Sequence, residues 1–227
     1  MNVLALDTTM AACSVAAWHG NGIASSRFER MDRGHAETLM PMIGTVLVEA
    51  GLEYASLDRI AVTVGPGYFT GIRIGLAAAR GLALATGLPL AGFTTLSAVA
   101  HGAKDDAPDG QEILVTLTSK RRDLYVQRFD CDAAALDEAR AAPPDAIAAE
   151  IADGRTAIAG DGAARIQDAM RARGQRDLPI AGTDLPDAAV VARMAAATEE
   201  EDWLPAMPIY LRPADVTMPK PDAGGTP

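Results

Sequence analysis

The sequence predicts an α/β protein in two halves, each a mixed sheet flanked by helices. Three observations carry this. Short β-rich runs alternate with segments of helical spacing, a breaker-rich stretch at 102–110 interrupts them midway, and the alternation restarts beyond it. A length of 227 residues gives each half enough chain for its own core. With 49% hydrophobic but only 4% aromatic residues, that core must be built from Ala, Leu, Val and Ile, which suits close-packed helices and buried sheets.

The first half opens on an apolar run, 3–6, that ends at Asp7-Thr8-Thr9. Residues 13–18, a Gly20-Asn21-Gly22 turn and residues 23–28 complete three antiparallel strands. Between 36 and 50 the spacing becomes helical: Leu39, Ile43, Val46 and Leu47 share one stripe, Pro41 falls in the first turns and Gly51 supplies a stop. A strand at 59–64 runs into the Gly65-Pro66-Gly67 break, and a second helix follows at 71–86 with Thr70 as its N-cap. Gly87 and Pro89 end it, and 89–93 forms another strand. Three strands, helix, strand, helix, strand is the order of the ribonuclease-H-like half of actin and the sugar kinases, a fold-level analogy that assigns no function.

The stretch 102–110 carries Asp105, Asp106, Pro108 and Asp109, and places a domain boundary between 1–105 and 106–217. In the second half, 113–117 and 124–129 form a hairpin whose Lys120-Arg121-Arg122 tip reads as solvated. An Ala-rich segment follows, then a strand at 157–159 entering Gly160-Asp161-Gly162, and helices near 164–172 and 188–197. The Pro- and Gly-rich end, 218–227, is expected to be a flexible tail.

Charge and composition narrow the function. A net charge of −10 argues against a direct grip on a nucleic-acid backbone, which Lys and Arg must supply. Cys13 and Cys131 form neither a ligand pair nor a disulfide framework, and His19, His35 and His101 are never three or four residues apart, so no metal is expected. The N-terminus lacks a basic leader, and no apolar run reaches the ~20 residues of a membrane span, so a cytoplasmic protein is expected.

Two segments could carry chemistry. Asp7, Thr8 and Thr9 sit where a strand ends in a turn, and either face a phosphate or cap the turn itself. The string Gly65-Pro66-Gly67-Tyr68-Phe69-Thr70-Gly71-Ile72-Arg73-Ile74-Gly75 combines glycines that permit close backbone approach with a helix start whose free N–H groups could take an anion; it lacks the Lys of a Walker loop. Gly160 and Gly162 either contact a nucleoside or make a tight strand-to-helix turn.

That eleven-residue string resembles the G-P-G-S-F-T-G-[IL]-R-[IV]-G signature of the TsaB family, with Tyr68 for the common Ser. Asp7-Thr8-Thr9, His35 through Pro41, and Pro208-Ile209-Tyr210-Leu211-Arg212 resemble three further family motifs, so the resemblance covers most of the chain. It implies two tandem ribonuclease-H-like (actin-like ATPase) domains. It also implies a scaffold subunit, not itself catalytic, for threonylcarbamoyl transfer to the tRNA adenosine next to the anticodon. The implied partners are a homologous TsaD-like catalytic subunit and a TsaE-like ATPase, with a homodimer in isolation and tRNA reached only through the complex. ATP or ADP is the ligand class, at or near the subunit interface, and Asp7, Thr8, Thr9, Gly65, Gly67, Gly160 and Gly162 are its candidate contacts. One place departs. Where the family opens its second hairpin with Asp-Ala-Arg, this chain has Thr118-Ser119-Lys120, so a ligand role for that Asp is not carried over. His35 matches the family pattern either as a helix-entry residue bonding backbone or as a ligand or partner contact. The alternatives are a self-sufficient actin-like ATPase or phosphotransferase and a protease, the latter without a visible nucleophile-base set.

A partner surface also follows from periodicity. At ~100° per residue the apolar and small residues of the 71–86 helix cover about 220°, wider than one sheet contact needs. Leu39, Met42, Ile43 and Val46 on the first helix and Ile74, Gly75, Ala78 and Leu82 on the second are the expected interface. The alternative is that the C-terminal segment of the same chain covers that arc.

Overall fold

The structure is a computed structural model that describes residues 1–151, 155–182 and 184–212. The tail expected at 218–227 lies outside the described residues. Strands β1 (Asn2–Asp7), β2 (Ala12–His19) and β3 (Gly22–Arg30) are antiparallel, while β4 (Arg59–Thr63) and β5 (Leu90–Phe93) add parallel to β1, giving the order β3-β2-β1-β4-β5. A four-stranded sheet, β8-β7-β6-β9, is built from β6 (Glu112–Thr118), β7 (Leu124–Phe129), β8 (Arg140–Ala142) and β9 (Thr156–Ala159). Its pairings repeat those of the first sheet: two antiparallel neighbours, then a parallel one.

The pleat sorts side chains by size. Leu4 and Leu6 of β1 point to the face covered by α1 (His35–Ala50) and α2 (Phe69–Thr86), where they meet Ile43, Val46, Ile72 and Leu76. Val3 and Ala5 point the other way, to α6 (Ala188–Ala197) with Val191, Ala192 and Ala195. Small residues on this second face let α6 pack close, and the helix returns from the end of the chain to the first sheet. In the second sheet, Ile113, Val115 and Leu117 face α3 (Thr95–Ala103), while Leu114 and Ile158 face α4 (Pro144–Glu150) and α5 (Ala163–Ala172). Helix α3 touches both β6 and α6, and so stands between the two sheets.

Two expectations are corrected. Helix α2 begins at Phe69 with Tyr68 at the cap position, so Thr70 lies in the first turn and is not the N-cap. Helices α3 and α4 and strand β8 are additional elements. Thr94 caps α3 by accepting from the Ser97 N–H at 2.9 Å, and Pro144 starts α4 where a missing N–H costs nothing.

Candidate functional site

The turn after β1 is sealed. Asp7 is fully buried, and its Oδ1 accepts from the Thr9 hydroxyl at 2.7 Å, the Thr9 N–H at 3.3 Å and the Thr63 hydroxyl of β4. Its Oδ2 has no hydrogen-bond partner. Burial pushes the carboxyl up to about 6 against the pull of these three bonds, which favour its charged form. The Thr8 hydroxyl donates to the Gly71 carbonyl at 2.7 Å, and the Tyr68 N–H donates to the Thr9 carbonyl at 2.7 Å. Asp7-Thr8-Thr9 thus clamps the first turn of α2 onto the end of β1.

The glycines of the signature string make that clamp fit. A Cβ on Gly71 would lie 2.0 Å from the Thr8 carbonyl oxygen, one on Gly67 2.4 Å from that of Thr9, and one on Gly75 2.7 Å from the Thr8 hydroxyl. At Gly65 the obstacle is the Ile209 carbonyl, 2.6 Å away, and Gly65 has a φ of 107°. In the second sheet Gly160, with φ 95°, would meet the Thr116 carbonyl at 2.2 Å. The chain's own backbone occupies the space that the sequence reading left open for a phosphate. Asp7, Thr8 and Thr9 are at most 1% exposed, and of the seven residues expected at a nucleotide only Gly67 lines the large cavity of the molecule.

That cavity, about 1200 Å³, lies between the starts of α1 and α2, the β6–β7 connection and residues 209–212. The Arg73 guanidinium sits 3.7 Å over the Phe69 ring and donates from Nε to the Tyr210 hydroxyl at 3.1 Å; the Phe69 and Tyr210 rings are 5.4 Å apart. Lys120, at φ 57°, holds its ammonium 3.9 Å from the Tyr68 ring. Arg212 pairs with Asp123 across the two walls. Where Thr118 replaces the family's Asp, its N–H and hydroxyl donate to Asp161 at 2.7 and 2.5 Å, and Tyr68 lies 3.3 Å from the same hydroxyl. Burial raises the pKa of Asp161 despite those donors. The sequence places Arg73 in the glycine string, Arg212 in the 208–212 motif and Lys120-Arg121 at a solvated tip; that these separate stretches share one cleft is a product of the fold.

Other expected residues are placed as follows. Leu39, Met42, Ile43 and Val46 are at most 5% exposed and belong to the core under the first sheet, so they are unavailable to a partner while the chain is folded. Gly75 is buried, whereas Ile74, Ala78 and Leu82 are half-buried at the edge of that core. The C-terminal segment covers one side of α2: Ala206 accepts from the Arg80 Nε at 2.9 Å and the Ile209 N–H donates to Val64 at 2.8 Å. Buried His35 donates from Nε2 to the Met10 carbonyl at 3.1 Å, as a helix-entry residue bonding backbone does, while its ring borders the cavity. Among the described residues no three His, Cys, Asp or Glu side chains are grouped to hold a metal.

The family model described as TsaD, tRNA N6-adenosine threonylcarbamoyltransferase, matches residues 26–202. An Escherichia coli protein described as tRNA threonylcarbamoyladenosine biosynthesis protein TsaB is 36% identical over 134 residues, 58% of this chain and 56% of that protein. An uncharacterized Mycobacterium bovis protein is 32% identical over 94% of this chain and 92% of its own. The crystal structure of an uncharacterized Pseudomonas aeruginosa protein, described as similar to peptidase YEAZ, superposes with a TM-score of 0.78 at 28% identity, covering 93% of this chain and 99% of that one. The chain spans about half the length of the TsaB-named relatives from Escherichia coli and Haemophilus influenzae, 56% and 52%.

Proposed function

This chain belongs to the TsaB family, within the group that the TsaD family model describes, and from that premise we propose that it is a scaffold subunit in forming threonylcarbamoyladenosine on tRNA. It acts through a homologous TsaD-like catalytic subunit on the adenosine next to the anticodon, with a TsaE-like ATPase. The observation that carries the accessory role is the sealed turn: the place where an actin-like enzyme would present phosphate contacts is filled by Thr8, Thr9 and the α2 glycines. The repeated strand order of the two sheets supports a tandem of actin-like halves. The net charge of −10 leaves tRNA to the partner.

The partner meets a strip of α2. Ala77, Gly81, Leu84 and Ala85 are exposed on one side of that helix, with Leu84 at 88%, and Ile74, Ala78 and Leu82 border them. The same strip serves self-association when the partner is absent. The test is Leu84→Glu, read by thermal unfolding and by pull-down of the TsaD-like subunit. Unchanged melting with binding at least tenfold weaker is expected, because a carboxylate would be desolvated in the contact. Normal binding by the folded variant would move the interface elsewhere.

A second reading, a self-sufficient ATPase or phosphotransferase, draws on the unpartnered Oδ2 of Asp7. Steady ATP turnover by the purified chain, abolished in Asp7→Asn, would favour it. A protease reading lacks a usable base in the Ser97–His101 pair: His101 Nδ1 lies 3.0 Å from the Ser97 carbonyl, which only a protonated nitrogen can bond, so it cannot accept the serine proton.

A further inference from the structure

We propose that the outer edge of β3 pairs with the same edge of a second copy of this chain, antiparallel about Phe28, so that two five-stranded sheets join into one. Among the described residues the other sheet edges are short or covered. β5 exchanges backbone hydrogen bonds with Leu204 through Gly92 at 3.0 and 3.1 Å, β9 is bridged to Ile180, and β8 has three residues. β3 runs nine residues, Gly22–Arg30, at the end of its sheet and pairs on one side, with β2. An open row of backbone N–H and C=O groups of that length is a template for another strand.

Charge fixes the register. β3 carries an extra residue, Ala24, opposite the step from Ala17 to Trp18, and is regular from Ser25 to Arg30. The pleat puts Arg27 and Glu29 on the α1 face, where Arg27 meets Glu49, and Ser26, Phe28 and Arg30 on the α6 face. A two-fold axis perpendicular to the sheet keeps each helical layer on its own side. Opposed residues share a face, so that axis must pass through a residue. Centred on Arg27 or on Glu29, it sets like charges against each other. Centred on Ser26, it opposes both charges to uncharged residues. Centred on Phe28, it opposes Arg27 to Glu29 twice, Ser26 to Arg30 twice, and one Phe28 ring to the other.

Charges on an edge ordinarily deter pairing. Here they are of opposite sign two residues apart, so two copies answer each other. Among the described residues Glu29 has no ion pair of its own, and Arg27, held to Glu49, has further N–H groups to give. Phe28, 37% exposed, gains cover. Helices α1 and α6 lie chiefly over β2, which leaves room for a second sheet alongside β3. Helix α2 packs chiefly over β4, away from this edge, so the contact leaves the α2 strip free and does not depend on the tRNA role.

The test is oxidative cross-linking of the full chain carrying Cys131→Ser, which removes the exposed thiol. Phe28→Cys lies on the axis and should form a disulfide-linked dimer at least tenfold faster than Ser26→Cys, whose two copies stand four residues out of step, about 13 Å apart. Sedimentation equilibrium reads the charges, with Leu84→Glu present throughout so that self-association through α2 does not contribute. That chain should dimerise with rising concentration. Adding Glu29→Arg should weaken the dimer at least tenfold without altering the melting temperature, because symmetry repeats the new Arg–Arg opposition. Arg27→Glu together with Glu29→Arg should restore it to within about threefold. The proposal is overturned if the two cysteine variants cross-link equally, if the Leu84→Glu chain stays monomeric at about 1 mM, or if Glu29→Arg dimerises like its parent. Should the double variant melt lower, the cross-linking rate of Phe28→Cys with Glu29→Arg decides: at least tenfold slower supports the pairing, and an unchanged rate overturns it.

Discussion

Each sheet ends a parallel strand pair with a bridge between a carboxylate and a threonine, and the two bridges differ in what surrounds them. In the first, Asp7 at the end of β1 takes the Thr63 hydroxyl of β4; in the second, Thr118 at the end of β6 donates to Asp161 beyond β9. Acid and hydroxyl have changed strands. Asp7 is wholly buried beneath the α2 glycines with one oxygen unpartnered, whereas Asp161 is half-buried, has both oxygens bonded, and reaches Tyr68 on the cleft wall through Thr118. One motif thus serves two ends: the first bridge holds backbones together at a buried junction, and the second braces a wall of the open cleft.

The comparison is broken most severely at the glycines. Gly71→Ala and Gly160→Ala drive a Cβ against backbone carbonyls at 2.0 and 2.2 Å, and neither the β1 turn nor β6 can withdraw without losing ladder bonds. Each should cost about 3 kcal/mol or more, a fall of roughly 6–12 °C in melting temperature for a chain of this size. If both were tolerated with little change, the two junctions would be looser than described.

Next in size is Asp7→Asn. The carboxyl rises from 3.8 to about 6 on folding, so the folded state holds its proton more tightly than the unfolded chain. Its contribution to stability is therefore fully present below about pH 4 and lost as pH rises through 6, a cost of at most about 3 kcal/mol at pH 7. Asn keeps an acceptor for Thr9 and Thr63 and cannot ionise. Chemical denaturation at pH 4, 5, 6 and 7 should show this decline in the parent and its absence in the variant, which should be no less stable at pH 7. A variant less stable than the parent only above pH 6 would mean that the charge itself is needed, and one destabilised at every pH would mean that the site cannot house an amide.

The smallest effect sharpens the first. Gly81 lies on the same helix as Gly71 with no atom within 4 Å of an added Cβ, and Gly81→Ala should gain about 0.5–1 kcal/mol from helix propensity alone. One substitution on one helix should thus change sign according to whether a backbone faces it. Melting curves of the two variants side by side check this.

Most of the fold was legible because periodicity reports burial: the stripe of Leu39, Ile43 and Val46 and the alternation in β1 are direct consequences of one covered face. The same stripe could not say what covers it, and residues assigned to a partner proved to be core. Helix α3 escaped because His101 and Gly102 interrupt a short, small-residue pattern, although Thr94 with the Ser97 N–H is an ordinary cap. Asp7-Thr8-Thr9 and the glycine string were found by sequence, but a glycine that makes room for a ligand and one that makes room for a carbonyl look identical until the neighbour is seen. The cleft was not legible, because Arg73 and Arg212 stand in two separate motifs and Lys120 in a hairpin tip, and only folding brings them together.

In the proposed accessory role Asp7 is a structural clamp and takes no part in the chemistry. The direct measurement is quantification of threonylcarbamoyladenosine in tRNA from cells depleted of this chain and supplied with either the parent or Asp7→Asn. Depletion should abolish the modified base, and Asp7→Asn should restore it to the level of the parent. A folded Asp7→Asn variant that accumulates normally yet leaves the tRNA unmodified would contradict the account and assign Asp7 to the reaction.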